Sequence, residues 1–188
     1  MQLGKLGMQY SLFAGQVASM LAIVPMFMYA SATQWAIGAA MYSGIMLFGL
    51  TLGYHRYLSH KMFKCPKWFE LVMLFFAHIM MVGPAILWVA THRAHHKFTD
   101  TDKDPHSPKY DENVFAMMWR TKSIYQSINR GKIEVDKKFT KNVPQWYRFD
   151  QMASSRISRI IWTVLYVIFF IKFASFWWLW LFLPVIIL

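Results

Sequence analysis

The residues best suited to chemistry in this chain are its histidines, because five of the seven fall in two tight groups. His55 and His60 have the spacing H-x4-H, and the second group, His92, His95 and His96, has the spacing H-x2-H-H. On a helix, residues three and four apart share a face, so the second group can point at one place. Residues five apart converge more easily if the helix ends or distorts between them. Five imidazoles exceed what one tetrahedral zinc needs, and nitrogen-rich ligation suits iron, copper, nickel or zinc.

The elements that position these groups belong to a chain with the charge distribution of a membrane protein. Hydrophobic residues make up 56% of the 188 residues and charged residues only 15%, against about 25% in soluble globular proteins. Apart from Lys5 and Lys172, every Lys and Arg lies between Arg56 and Arg159. The length allows one domain, and we expect residues 1–188 to form it, apolar at both ends and charged in the middle.

Hydropathy predicts four membrane spans at about residues 11–30, 35–53, 157–173 and 176–188, with residues 54–156 cytosolic or interfacial. A span needs about twenty residues, and the last run has only thirteen. The fourth span is therefore predicted to be incomplete.

Sidedness follows from the basic residues, which are absent from the loop between the first two spans and abundant after the second. The positive-inside rule then places the N-terminus and both histidine groups at the cytoplasmic face. A signal peptide is the alternative for the first span, but its apolar run is too long and a second span follows almost at once. Residues 68–90 are also apolar, yet a crossing there would separate the histidine groups. We expect this stretch to lie at the interface or against the cytosolic part, broken at Gly83-Pro84.

The formal net charge of +11 does not indicate nucleic-acid binding, since no basic helix or basic-aromatic sheet pattern accompanies it. Anionic headgroups or an acidic partner are the better counter-charge. Cys65 is the only cysteine, which excludes an internal disulfide and a zinc site built from cysteines. Histidine groups at a membrane surface favour redox chemistry on a lipid-soluble substrate.

Three segments resemble the membrane fatty acid desaturases, particularly the Δ9 acyl-CoA and acyl-lipid branch. Residues 53–60, GYHRYLSH, resemble the first histidine box of that family, and residues 88–97, WVATHRAHHK, resemble the second. The following TDTDKDPHSP, residues 99–108, resembles the D-T-x-x-D-P-H segment of the same branch. The two boxes, this flank and the 31-residue gap between His60 and His92 make the combination specific.

The resemblance implies an all-α integral membrane helical bundle of the four-span type, under a cytosolic histidine-rich cap that holds two iron ions. The implied ligands are the five clustered histidines: His55, His60, His92, His95 and His96. Asp100, Asp104 and His106 are expected to support the ligands by hydrogen bonding, with a solvated acidic loop as the alternative for the two aspartates. Trp88 is a candidate for lining the substrate tunnel, although interfacial packing is the favoured explanation for it.

The implied reaction is O2-dependent insertion of a cis double bond, at Δ9, into a fatty acyl chain carried by CoA or a lipid. Electrons would come from a cytochrome b5-type protein, or from a ferredoxin or related reductase. Such donors are commonly acidic, and the basic stretch 120–141 offers a complementary surface, although a solvated face is the commoner explanation of such a charge run.

The sequence departs from the family pattern because no histidine follows His106, so the third histidine box is missing. Together with the short last span, this predicts that the C-terminal part is absent and that the isolated chain is inactive. Two alternatives stay open: a membrane di-iron hydroxylase or alkane monooxygenase, and an inactive truncated membrane fragment of a desaturase.

Overall fold

A computed structural model describes Ala14, Val17, Ala18, residues 21–176 and residues 179–180. All regular secondary structure within these residues is helical, which confirms the prediction of an all-α chain. The predicted span at 11–30 lies partly outside the described residues, and the predicted span at 176–188 lies almost wholly outside them.

The described helices vary from one turn to five. Residues 21–29 are helical. The helices that follow are α1 (Ala32–Tyr42), a π-helical segment (Ser43–Ser59), α2 (Lys67–Ile79), α3 (Ala85–Phe98), α4 (Val114–Asn129), α5 (Lys137–Thr140), α6 (Tyr147–Ser154) and α7 (Arg156–Phe173), with a 3-10 turn at Pro108–Tyr110.

The chain divides into two compact units, of which the first comprises Met1–Ser43 and Arg156–Leu188. In this unit a capping box starts α1: Ser31 Oγ accepts from Gln34 N, and Gln34 Oε1 accepts from Ser31 N. The apolar side chains of α7 are largely exposed, with Ile157 70% and Ile171 69% accessible. A helix that leaves this many branched aliphatic residues uncovered has the surface of one that contacts lipid.

Among the described residues, one helix is long and apolar enough to cross a membrane. It is the continuous 28-residue helix Ala32–Ser59. It contains the predicted span 35–53. Helix α7 agrees with the predicted span 157–173 in extent. It carries three basic residues, Arg156, Arg159 and Lys172, and is therefore too charged to count as a second membrane-crossing helix by composition. The four-span bundle therefore stays a prediction.

The second unit, Gly44–Ser155, carries both histidine groups and is built on a close crossing of the π-helical segment with α2. A Cβ on Gly49 would lie 2.6 Å from Ala77 N and 2.8 Å from Phe76 C, so no other residue fits without moving backbone. A Cβ on Gly53 would lie 3.0 Å from Met73 Cβ. Glycine at these positions lets the two helices approach to backbone contact.

The core of this unit joins the π-helical segment, α2, α3 and the loop after α5 through buried apolar side chains. These are Tyr54, Leu58, Leu74, Ala77, Ala85, Val89 and Val143. The apolar stretch 68–90 is divided as the sequence predicts: α2 ends at Ile79, Gly83 has a φ of +94°, and α3 begins after Pro84. With 13 and 14 residues, each helix alone is shorter than the roughly 20 residues that a span requires. The two histidine groups are thereby held in one compact body.

Candidate metal centre

The first histidine pair is brought together by the π-helical geometry of the segment that carries it. His60 N donates to the carbonyl of His55 at 3.1 Å, an i to i+5 hydrogen bond that places His60 one wide turn above His55. The ring centroids are 4.6 Å apart. Ser59 Oγ donates to the carbonyl of Tyr54 at 2.7 Å and closes the same turn. An ideal α-helix would point residues five apart in different directions, so the wider turn is what pairs them.

The second group adds two more imidazoles from α3, and four ring nitrogens converge. His60 Nε2 lies 3.2 Å from His55 Nε2 and 3.2 Å from His92 Nε2, and His92 Nε2 lies 3.1 Å from His96 Nε2. One nitrogen from each of the four lies within 4.8 Å of the others. Imidazoles bound at about 2.0–2.1 Å to one ion have neighbouring nitrogens about 2.9–3.4 Å apart. The donor set therefore fits a transition metal.

The electrostatics of the cluster favour neutral imidazoles. Burial, followed by the neighbouring imidazoles of His96, His55, His60 and His95, lowers the pKa of His92 to about 3. Burial, followed by the imidazoles of His55 and His96 and the guanidinium of Arg93, also lowers the pKa of His60. Metal binding requires the neutral imidazole, so this environment keeps the ring nitrogens available as donors at neutral pH.

His95 does not join the four-histidine group, because its ring is turned toward the loop after α3. Its Nδ1 lies 2.8 Å from Oδ1 of Asp104, whose side chain is fully buried. The same carboxylate accepts from the backbone N–H of His106 at 2.9 Å and of Asp100 at 3.1 Å. Burial raises the pKa of Asp104, but these hydrogen bonds outweigh it and the pKa is lowered. A carboxylate on Nδ1 orients an imidazole so that Nε2 is free for a metal.

Asp100 and His106, the other two sequence-predicted residues of this loop, make different contacts. The side chain of Asp100 accepts from Ser107 Oγ at 3.1 Å, which stabilises the loop. The ring of His106 lies against α4, with Nδ1 3.1 Å from Thr121 Oγ1. Neither side chain contacts one of the clustered histidines through a hydrogen bond given by the structure, whereas Asp104 does.

Sequence reasoning counted Arg120 only as part of the basic stretch 120–141 and missed its role in holding this loop from α4. Its guanidinium donates to the carbonyl of Asp104 at 2.8 Å and to that of Ser107 at 3.0 Å, and it forms a two-oxygen ion pair with Asp111. No spacing in the sequence marks Arg120, because it lies 16 residues beyond Asp104, in α4 rather than in the loop.

Trp88 lies one turn before His92 on α3, and the two rings are stacked at 4.6 Å with an interplanar angle of 18°. The indole also contacts Tyr54, at a centroid distance of 5.8 Å, and His55, at 6.4 Å. Trp88 therefore limits the orientation of a clustered imidazole by stacking against one face of its ring. Its predicted place in a substrate tunnel stays a prediction.

Comparison with known proteins agrees with this geometry. The family model described as fatty acid desaturase matches residues 32–188. Delta-9 acyl-lipid desaturase 1 of Arabidopsis thaliana is 52% identical over 71 residues, 38% of this chain and 23% of that protein. Delta-9 desaturase-like 5 protein of the same plant is 38% identical over 138 residues, 68% of this chain and 44% of the relative.

The chain thus spans less than half the length of these relatives. A search of the solved structures found no match. The family match covers most of the chain and includes both histidine groups, and the relatives carry Δ9 names. On these matches and the motifs that they contain, the chain belongs to the fatty acid desaturase family.

Proposed function

We propose that this chain forms part of a membrane-bound, O2-dependent fatty acyl desaturase that introduces a cis double bond at Δ9 through a histidine-ligated di-iron centre. The observation that carries the proposal is the convergence of four imidazole nitrogens, at nearest distances of 3.1–3.2 Å, from two separate helical segments. Relatives named Delta-9 acyl-lipid desaturases support the position of the double bond and favour an acyl-lipid over an acyl-CoA substrate.

The five clustered histidines divide into two roles in this proposal. His55, His60, His92 and His96 hold one iron, and His95, aligned by Asp104, offers Nε2 to the second. When bound, the iron pair supplies the activation of O2 that removes one hydrogen from each of two neighbouring methylenes, with two electrons delivered from outside and water as the other product.

The protein's own part is to hold the imidazoles neutral and aligned and to position the acyl chain. The stacked ring of Trp88 limits rotation of His92, and the Asp104 carboxylate fixes the ring of His95. Selectivity for one carbon pair requires a narrow apolar tunnel that measures distance from the headgroup, and we place the edge of Trp88 on its wall.

Electron delivery is assigned to the exposed basic surface that runs from the end of α4, through the connection that follows, to the end of α5. Its members are Arg130, Lys132, Lys137, Lys138 and Lys141. An acidic cytochrome b5-type protein, ferredoxin or related reductase fits this surface by charge, and both histidine groups then face the cytoplasm with it. Turnover that is insensitive to ionic strength would contradict electrostatic docking.

The test is iron content and product analysis of the full chain in membranes, compared with His92→Gln and with Lys97→Gln, an exposed neighbour on the same helix. We expect iron to copurify with the parent chain and with Lys97→Gln but not with His92→Gln. Alkene formation in a desaturase-deficient host would identify an active chain. An iron content equal to that of His92→Gln would overturn the metal assignment, and a hydroxylated acyl chain without alkene would favour the hydroxylase alternative.

A further inference from the structure

Arg93 lies between two of the clustered histidines in sequence, yet its side chain leaves their face of α3 and reaches four backbone carbonyls. Nη2 donates to Leu58 O at 2.8 Å and Nε donates to Ser59 O at 3.0 Å. Nη1 donates to Phe139 O at 3.1 Å and to Lys141 O at 2.8 Å. The guanidinium therefore joins three segments at once: the end of the π-helical segment, α3 and α5.

The two carbonyls on the π-helical segment are the ones immediately before His60. Leu58 is 1% exposed and Ser59 7% exposed, so water cannot easily replace the arginine as a donor. Carbonyls in the last turn of a helix have no later amide of the same helix to accept from, and the partial negative charge there attracts a cation. A guanidinium offers five donors in a planar fork, which suits several carbonyls at different angles.

We propose that Arg93 is a positioning residue for the metal centre: it locks the His55–His60 turn against α3 and so sets the spacing between the two histidine groups. The inference rests on the proposed metal centre. The neighbouring His92 Nε2 lies 3.2 Å from His60 Nε2, a distance that spans the two segments joined by Arg93. A shift of either segment separates these nitrogens before it affects pairs within one segment.

The purely structural alternative is that Arg93 only stabilises the fold. The positioning role and the structural role predict different metal binding for a variant that still folds but lacks the planar guanidinium of Arg93. Lysine keeps the positive charge and a similar length, but its single ammonium cannot reach carbonyls of two segments in the same arrangement. Arg93→Lys therefore tests the arrangement of the hydrogen-bond donors while the positive charge is kept. Arg93→Gln removes the charge as well.

A matched control is Asn113→Ala, which removes the N-cap of α4, where the Asn113 side chain accepts from Ala116 N at 2.9 Å. This substitution weakens the same unit without touching either histidine segment. Each variant is prepared as the full chain in detergent, checked for helix content by circular dichroism, and titrated with Co²⁺ alone while its visible spectrum is recorded.

We expect the parent chain and Asn113→Ala to bind Co²⁺ with the same spectrum and affinity. Arg93→Lys should retain helix content but bind Co²⁺ about tenfold or more weakly, with altered band positions. It should also be cut faster by trypsin after Lys141, because α5 loses its tether. If Arg93→Lys matches the parent in spectrum and affinity, the positioning role is wrong while the metal centre stands. If the parent itself does not bind Co²⁺, the metal centre and the inference both fail.

Discussion

Glu70 is the buried charge outside the metal cluster on which we expect folding of the second unit to depend most. Its side chain is 1% exposed, accepts a hydrogen bond from Tyr57 Oη at 2.7 Å and another from Trp146 Nε1, and lies 3.5 Å from Lys67 Nζ. Burial raises the pKa of Glu70, but the hydrogen bonds from Trp146 and Tyr57 and the charge of Lys67 outweigh it, so the pKa is lowered. The carboxylate is ionised at neutral pH.

The substitution Glu70→Gln keeps the shape and removes the charge. Hydrogen bonds to a charged group contribute about 1.5–3 kcal/mol each, and neutral ones about 0.5–1.5. Trp146 can only donate, so the amide oxygen must turn toward it, while the amide nitrogen donates to a reoriented Tyr57 hydroxyl. Both hydrogen bonds survive in neutral form. The net loss is therefore about 1–3 kcal/mol, and the lysine pair adds little because Lys67 is 72% exposed.

The stability lost in Glu70→Gln should depend on pH. A carboxyl whose folded-state pKa is depressed stabilises the fold above its unfolded-state pKa of about 4.3, and that stabilisation disappears as pH falls through the folded-state pKa. The difference in unfolding free energy between the parent and Glu70→Gln should thus be constant from about pH 6 to 8 and shrink below about pH 4.3.

The measurement is equilibrium unfolding of the full chain in detergent, followed by tryptophan fluorescence at a series of pH values. Glu112→Gln, at an exposed position, is the control and should leave stability unchanged at neutral pH. Tyr57→Phe combined with Glu70→Gln should cost less than the two single losses added together, since the residues share a hydrogen bond. A Glu70→Gln protein as stable as the parent at pH 7, or a difference that grows on acidification, would refute the reasoning.

Three further outcomes are expected. Asp104→Asn turns an amide N–H toward a backbone donor, so it should weaken Co²⁺ binding about 10- to 100-fold through misalignment of His95, as read by metal titration. Gly49→Ala should destabilise the second unit by about 1–3 kcal/mol in the same unfolding assay, because the added methyl meets Ala77 N at 2.6 Å. Ser31→Ala should cost about 1 kcal/mol of stability and leave metal binding unchanged, which a lower metal affinity would contradict.

The outline of the fold could be predicted from sequence because it depends on local signals. The apolar run at 35–53 becomes part of the helix Ala32–Ser59, and Gly83-Pro84 separates α2 from α3 because proline and a positive φ interrupt helical hydrogen bonding. The contacts of Arg93 and Arg120 could not be predicted. Both hold neighbouring segments by donating to backbone carbonyls, which every residue has, so these contacts leave no mark in the sequence.

The arrangement of the histidines shows where spacing alone misleads. At 100° per residue, His95 lies about 60° to one side of His92 and His96 about 40° to the other, so the three residues share one broad face but their rings need not aim at one point. The structure turns His96 toward His92 and His95 toward Asp104, and the place left in the cluster is taken by His60 across the π turn. The rings of the three histidines thus point in two directions, two of them into the cluster and that of His95 toward Asp104. A single ion does not require such an arrangement. Two ions do require it, because each must receive its own imidazoles, so the observed turn of His95 away from the cluster favours the di-iron proposal over a mononuclear site.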